Sequence, residues 1–289
     1  MADRSHKESV KFWKDPLLPQ VELLRATYIT HSFARHTHDG YALGVIERGQ
    51  EGFQYRGASY VAPAGSIALI HPGEVHTGHA AEASGWTYRM FYPDASVLGE
   101  VANQLAGHPV TLPYFPNPVI HDPVLVRELS GVHQALEQGA SQLEWESRLL
   151  WVLAQLIARY GSDRPIPRSI SPDPQRMAQV RDYLATHLNE SVSLDDLAAF
   201  AQMQPFRLLR TFRAQFGLPP HAYQNQLRLY YAKRLIAHGV PLVQVAIDSG
   251  FTDQSHLNRH FKRIFGVTPG QYQRGCKNVQ EFSRLPSLS

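Results

Sequence analysis

The C-terminal third of the chain repeats itself, and that repeat limits what the chain can fold into more than any other feature. Leu208, Arg210, Phe212, Phe216, Gly217, Pro220 and Tyr223 recur 49 residues later as Leu257, Arg259, Phe261, Phe265, Gly266, Pro269 and Tyr272, and Arg213 recurs as Lys262. Upstream, Leu197-Ala198 matches Val245-Ala246 once one residue is allowed in the intervening turn. Gly217, Gly239, Gly250 and Gly266 punctuate the stretch, with proline just past two of them, which marks a series of short helices. Asp195 and Asp196 suit the first turn of one such helix. The repeated unit is therefore a short helix, a turn and a second helix, present twice and joined by a helix-like segment, His221–Ala237. A pair of helices of this size is the unit that inserts its second helix into a DNA major groove.

On the second helix of each copy, Leu208/Phe212 and Leu257/Phe261 lie four apart and face inward. That turns Phe206, Arg207, Leu209 and Arg210 outward in the first copy, and Gln254, Ser255, Asn258 and Arg259 in the second. The second set can reach base edges or phosphates, with Arg suited to guanine and Asn or Gln to adenine. Asp253 can cap the second copy's helix, and Pro205 suits the first helical position of the other. The competing reading is an ordinary helical domain whose polar face is merely solvated. Charge agrees with the first reading without deciding the matter. Residues 175–275 hold 12 Lys and Arg against 6 Asp and Glu, whereas residues 1–174 hold 14 against 18.

The stretch Gly250–Tyr272, GFTDQSHLNRHFKRIFGVTPGQY, resembles the signature of the AraC/XylS family of bacterial transcription regulators. Gly250, Phe251, Arg259, Phe261, Phe265, Gly266, Pro269 and Tyr272 fall where that signature places them, and the resemblance extends over about Ala178–Arg274. It implies two helix–turn–helix units held by a linking helix and reading successive major grooves. Those grooves lie ~34 Å apart, so the module needs that separation or a bent site. The first copy departs from the family pattern. Gln202 stands where a glycine is usual, Gln204 replaces the usual serine cap, and Leu209 puts an apolar group at an outward position. Leu209 either contacts a thymine methyl or marks a copy that clamps backbone while the other reads sequence.

Residues 161–175, GSDRPIPRSISPDPQ, carry four prolines and little apolar content, as a linker does. They separate residues 1–160 from a tandem helix–turn–helix domain at 176–275 and a tail at 276–289. In the front segment, short apolar runs over residues 20–95 (TYIT, YALGVI, GFQY, SIALI, WTYRMFY) alternate with Gly, Pro and Asp-Gly turns, predicting an antiparallel barrel or sandwich. Residues 97–118 are ambiguous, and two helices follow at about Pro123–Gln138 and Leu143–Tyr160. Leu149, Leu153, Leu156 and Tyr160 make one apolar stripe, either a dimer seam or a face packed on the chain's own barrel. The fold expected is multidomain α and β: an N-terminal barrel with two helices and a C-terminal all-α domain with two helix–turn–helix units.

Six of the fifteen histidines lie within residues 31–79. His36 and His38 share a strand face, and His71 and His76 follow near a Pro72-Gly73 turn. The layout RHTHDGYALGVIERG, then PAGSIALIHPGEVHTG, is similar to the cupin-type barrel that this regulator family often carries as its sensor, over roughly Thr27–Tyr92. A His-x-His pair with a later histidine could hold a divalent metal. Catalytic cupins generally add a glutamate four or five residues after the pair. Here Ala42 and Leu43 stand there, and Glu47 comes too late. The expectation is thus an effector site without a metal or other cofactor, built from His36, His38, Tyr41, His76, Trp86 and Arg89, with Arg89 pairing a ligand carboxylate. Trp86 and Tyr41 are alternatively core or rim residues, and Arg89 alternatively serves a structural ion pair.

The reading that emerges is a ligand-responsive DNA-binding transcription regulator, an activator on family habit. Its expected partners are double-stranded promoter DNA, a small-molecule effector and RNA polymerase, with helices at 123–160 transmitting the change or joining two subunits. The alternatives are a cupin-type metal-dependent enzyme with a helical tail and a nucleoid-type DNA binder without sequence preference. The single cysteine, Cys276, excludes an internal disulfide, a four-cysteine zinc site and a CxxC redox pair. The charged start MADRSHKESVKFWKD is unlike a secretory signal, and the greasiest stretch, Leu149–Ala158, is about half the ~20 residues of a membrane span. A cytoplasmic, non-enzymatic protein without membrane contact is the expectation.

Overall fold

The structure, a computed structural model, describes residues 7–163, 165 and 172–282, with side chains described as far as 276. Residues 164 and 166–171 of the linker at 161–175, and 283–289 of the tail at 276–289, lie outside the described residues. The chain divides into two compact units, residues 1–136 with 148–169, and residues 137–147 with 170–289.

The first unit is built on nine strands: β1 (Ser9–Lys14), β2 (Val21–Tyr28), β3 (Ser32–His36), β4 (Ala42–Tyr55), β5 (Ala58–Pro63), β6 (Ile67–Ile70), β7 (His76–Ala80), β8 (Trp86–Pro93) and β9 (Val119–Ile120). Every pairing is antiparallel, along the path β1-β2-β8-β4-β6-β9, with β5 and β7 also on β4 and β3 on β7. The 14-residue β4 is the spine. Its first half pairs with β6 and β8 and its second half with β5 and β7. The strand changes register against β8 between Ile46 and Arg48, beside Gly49. Gly49 has φ +67°, and a Cβ there would run into the Gly85 carbonyl. Strand alternation then sorts β8. Trp86, Tyr88 and Met90 join Leu24, Ile46, Phe53 and Tyr55 in one buried cluster, and the residues between them face the other way.

Helices cover this sheet structure: α1 (Ala95–Ala106), α2 (Pro123–Glu137) and α3 (Gln142–Tyr160). The last two stand where the periodicity puts them; α1 occupies part of the ambiguous stretch 97–118, and β1 lies before the strand-rich region 20–95. The Asp122 carboxylate starts α2 by accepting from the Val124 and Leu125 backbone N–H groups, and its other oxygen accepts from Arg159 and Tyr160 of α3. Of the stripe, Leu149, Leu153 and Leu156 are buried within the single chain and Tyr160 is half-buried, so its leucines pack inside the chain.

The second unit is helical: α4 (Pro174–Thr186), α5 (Leu194–Phe200), α6 (Pro205–Phe216), α7 (Pro220–Ala237), α8 (Leu242–Asp248), α9 (Gln254–Phe265) and α10 (Pro269–Phe282). Helices α6 and α9 begin and end 49 residues apart, and each stops at a left-handed glycine, Gly217 and Gly266. Helices α5 and α8 are offset by 48, the one-residue difference falling in the turn. The caps follow the residue types. Ser193 and Asp196 form a capping box on α5, and Asp253 accepts from the His256 N–H on α9. Gln204 makes no side-chain cap on α6, where Pro205 supplies the first turn. Among the described residues, no helix is long and apolar enough to cross a membrane.

Candidate functional site

Two surfaces of the molecule carry chemistry. The first is the outer face of the paired second helices, α6 and α9. On α9, Leu257 and Phe261 are completely buried among Leu229, Ile236, Val245 and Phe251. Ser255, Asn258, Arg259 and Lys262 recur three, four and seven residues along and so share the opposite face. Ser255, Arg259 and Lys262 are exposed, and Gln254 and Asn258 are half-buried. Arg259 donates from Nη2 to the Gln138 carbonyl at 3.2 Å. This face holds donors and acceptors of the kind that read base edges.

Helix α6 differs from expectation. Phe206 and Leu209 were expected to point outward, but they are only 3% and 2% exposed. With Leu208 and Phe212 they make an apolar stripe about 160° wide at 100° per residue, and water expels side chains worth ~1.5–3 kcal/mol each. Neither Phe206 nor Leu209 is therefore placed to touch DNA in this arrangement. What α6 offers is cationic: Arg207 and Arg213 are exposed, and Arg210 is half-buried with its guanidinium 5.7 Å from the Phe206 ring centre.

The turns before the two helices also differ. Gln202 takes φ +49°, the left-handed conformation its position in the repeat requires, and is exposed. Gly250 takes φ +76°, and a Cβ there would collide with the Leu188 carbonyl oxygen and lie 2.9 Å from Arg228 Nε. Arg228, on α7, donates to the carbonyls of Leu188 and Glu190 at 2.7 and 3.0 Å.

The second surface is a chamber of about 80 Å³ inside the barrel, lined among others by His36, His38, Glu51, His76, Tyr88 and Tyr92. His36 ends β3 and His76 opens β7, and the two are paired across those strands. His38 follows two residues after β3, with its ring 4.9 Å from His36 and 5.1 Å from His76. Burial, with the neighbouring histidines, holds His38 down at about 4, and burial lowers His76 as well. Burial also pushes the Glu51 carboxyl up to about 8, and it raises the phenols of Tyr88 and Tyr92 above their ordinary range. At neutral pH His38, His76, Glu51, Tyr88 and Tyr92 are therefore uncharged groups that can each donate or accept a hydrogen bond. An open cleft of about 620 Å³ adjoins it and shares His76 and Thr77, with Arg35, Arg56 and Glu74 on its walls.

The chamber takes three of the six residues expected there and leaves out three. Trp86 belongs to the buried core cluster. Tyr41 is buried and its hydroxyl donates to the Pro113 carbonyl at 2.6 Å. Arg89 donates to Glu47 Oε1 at 2.6 Å and contacts His133 Nδ1 at 3.0 Å, so it is the structural ion pair and not a ligand clamp. For Arg89 the physical reason is strand parity: Tyr88, Met90 and Tyr92 of β8 face the chamber, so Arg89 between them faces away. Glu47, too late in the sequence for the cupin position, is spent on Arg89 and Arg25. Glu51, Tyr88 and Tyr92 went unrecognised. The alternation Trp86, Tyr88, Met90, Tyr92 could have revealed the tyrosines, whereas nothing local marks Glu51.

A further histidine pair lies in the second unit. His256 and His260 approach Nε2 to Nε2 at 3.0 Å, with Glu144 Oε2 3.9 Å from His260. Thr252 Oγ1 sits 2.6 Å from His256 Nδ1, and Arg263 donates to His260 Nδ1.

Residues 18–153 match the AraC-like ligand binding domain, and residues 197–275 match a helix-turn-helix domain. The chain is 30% identical over 245 residues to the uncharacterized HTH-type transcriptional regulator YbfI of Bacillus subtilis (strain 168), covering 84% of this chain and 87% of that one. It is 28% identical over 245 residues to the arabinose operon regulatory protein of Escherichia coli (strain K12), covering 82% of each. Among solved structures, the DNA-binding domain of AdpA, the global transcriptional factor, in complex with a target DNA is 28% identical with a TM-score of 0.35, covering 37% of this chain and 96% of that one. A ligand-binding domain followed by a helix–turn–helix domain, in one chain that matches these regulators over most of their length, places this protein in the AraC family of transcriptional regulators.

Proposed function

We propose that a small molecule held in the barrel chamber changes how the helical unit binds promoter DNA, and that the protein is an activator acting through RNA polymerase. Arg207 and Arg210 of α6, and Gln254, Ser255, Asn258 and Arg259 of α9, make the DNA contacts. The two helices divide the work. With Phe206 and Leu209 buried, α6 presents cations that suit phosphates, whereas α9 presents a mixed hydrogen-bonding face that suits base edges. His36, His38 and His76 contact the effector. The protein works by binding, in the cytoplasm, and catalyses nothing. A pair of subunits would have to join through a surface other than the buried leucines of α3.

The observation that carries this reading is the exposed basic face of α9, set in a unit that recurs at a fixed offset. An effector acts only by binding one conformational state better than another, so the chamber ligand must change the population of the DNA-competent state. The test is a salt titration on duplexes selected from a random-sequence library. Arg207, Arg213, Arg259, Lys262 and Arg263 are the exposed cations of the two helices. If most of them neutralise a phosphate, log affinity falls against log salt with a slope on the order of −4. A slope near zero, or a selection that returns no preferred sequence, overturns the proposal.

A further inference from the structure

Among the described residues, two clusters bring three metal-ligating groups within 4.8 Å of one another: His36, His38 and His76 in the barrel, and Glu144, His256 and His260 in the second unit. Their hydrogen bonds distinguish them. In the second cluster Arg263 can only donate, so His260 Nδ1 is the acceptor and the proton sits on its Nε2. That Nε2–H then points at His256 Nε2, whose ring passes its own Nδ1–H to Thr252. Every imidazole lone pair is used, and the cluster is a closed hydrogen-bond chain.

The barrel cluster is the reverse. His36 Nδ1 lies 2.8 Å from the Ala34 carbonyl, and His76 Nδ1 lies 3.1 Å from the Glu74 carbonyl. A carbonyl only accepts, so both Nδ1 atoms carry the proton and both Nε2 atoms are left bare. This is the outer-shell arrangement that orients metal-binding imidazoles. The chamber's size points the same way. About 80 Å³ is far below the ~300–1,000 Å³ of ordinary small-molecule sites, but it holds an ion with a water or two. The residue missing by comparison with catalytic cupins is a fourth, acidic ligand; three histidines alone already make a metal site with an open position.

We propose that His36, His38 and His76 bind one divalent transition-metal ion, and that this ion is the ligand the chamber takes. The proposal rests on the sensor reading of the barrel given above. It uses Nε2 of His36 and His76 and one ring nitrogen of His38.

The full chain is stripped with EDTA, dialysed and titrated with Co²⁺ while visible absorbance is followed, with Zn²⁺ as competitor and elemental analysis for stoichiometry. The expected result is one Co²⁺ per chain with d–d bands, displaced by Zn²⁺. The double variant His36→Gln/His76→Gln should lose at least ~100-fold in affinity, since removing even an outer-shell partner costs 10–100-fold. His256→Gln should bind as the wild type does. No stoichiometric binding by the wild type, or undiminished binding by the double variant, overturns the proposal. Should the double variant misfold by circular dichroism, wild-type protection carries the decision. Zn²⁺ must shield His36, His38 and His76 from diethyl pyrocarbonate, read by mass spectrometry, and unchanged labelling overturns the site. DNA affinity measured with and without Zn²⁺ separates this proposal from the sensor reading. A chain that binds the metal with no change in DNA affinity keeps the site and loses the sensor. A chain that binds no metal but responds to an organic metabolite does the opposite.

Discussion

Replacing Glu51 by Gln should make the barrel more stable at pH 8 than the natural residue does, and should do so progressively as pH rises. Glu51 is 9% exposed, and burial pushes its carboxyl up to about 8 from the ordinary 4.5. The folded state therefore holds the proton more tightly than the unfolded one. Below about 4.5 both states are protonated and the stability is fully present. From there to about 8 the unfolded chain ionises and the folded chain does not, so stability falls at ~1.4 kcal/mol per pH unit and levels off above. The difference of about 3.5 units sets an upper bound of roughly 5 kcal/mol. Gln is nearly isosteric and never ionises, so the variant lacks that slope. The assay is urea unfolding of EDTA-treated protein at pH 5, 6.5 and 8, with Trp86, packed in the barrel core, as a fluorescence reporter. The reasoning fails if variant and wild type keep a constant stability difference, within ~0.5 kcal/mol, over that range.

Arg259→Ala should weaken binding to a selected duplex by at least ~1 kcal/mol, about fivefold, in a gel-shift titration. Equal affinities would remove Arg259 from the interface. Arg89→Ala should cost about 3 kcal/mol of stability by thermal or urea unfolding, because it empties a buried site and leaves Glu47 with Arg25 alone. A variant as stable as the wild type would restore Arg89 as a candidate ligand group. Gly250→Ala should destabilise the helical unit by ~2–4 kcal/mol through collision with the Leu188 carbonyl, whereas Gln202→Gly should stabilise it by up to ~1 kcal/mol. Parallel melting curves check both, and equal effects at the two positions would refute the asymmetry.

The helical half of this fold could be read from the sequence because a repeat is compared with itself. Offsets of 49 and 48 residues placed α6, α9, α5 and α8 without any estimate of propensity. The buried partners Leu208/Phe212 and Leu257/Phe261 then fixed one face of each helix. What the repeat could not tell was how wide the apolar stripe of α6 is, since Phe206 and Leu209 differ from their counterparts Ser255 and Asn258. The copies agree in backbone and disagree in surface. The barrel was legible as strands but not as a chamber. His36, His38 and His76 converge as their spacing suggests, yet Glu51 reaches the same space from the far end of β4. A contact set by how a 14-residue strand bends leaves no local trace. Strand parity alone puts Trp86 and Arg89 on opposite faces of β8.

The asymmetry of the two turns bears on how the module presents its helices. Gln202 and Gly250 adopt the same left-handed conformation at equivalent points of the repeat, so the backbone requirement is common to both copies. Only the second turn is crowded. There the missing Cβ lets the Leu188 carbonyl approach, and Arg228 ties Leu188 and Glu190 to the linking helix α7. The loop after α4 and the linking helix are thus joined by a buried guanidinium, and the second turn packs closely against both, which helps to set the position of α9 relative to α7. The first turn faces open space and meets its conformational requirement at the expense of strain in a non-glycine residue. A helix that discriminates bases must be held within a fraction of an ångström, whereas one that grips phosphates with long arginine side chains tolerates more play. The copy with the anchored turn is also the copy with the hydrogen-bonding face.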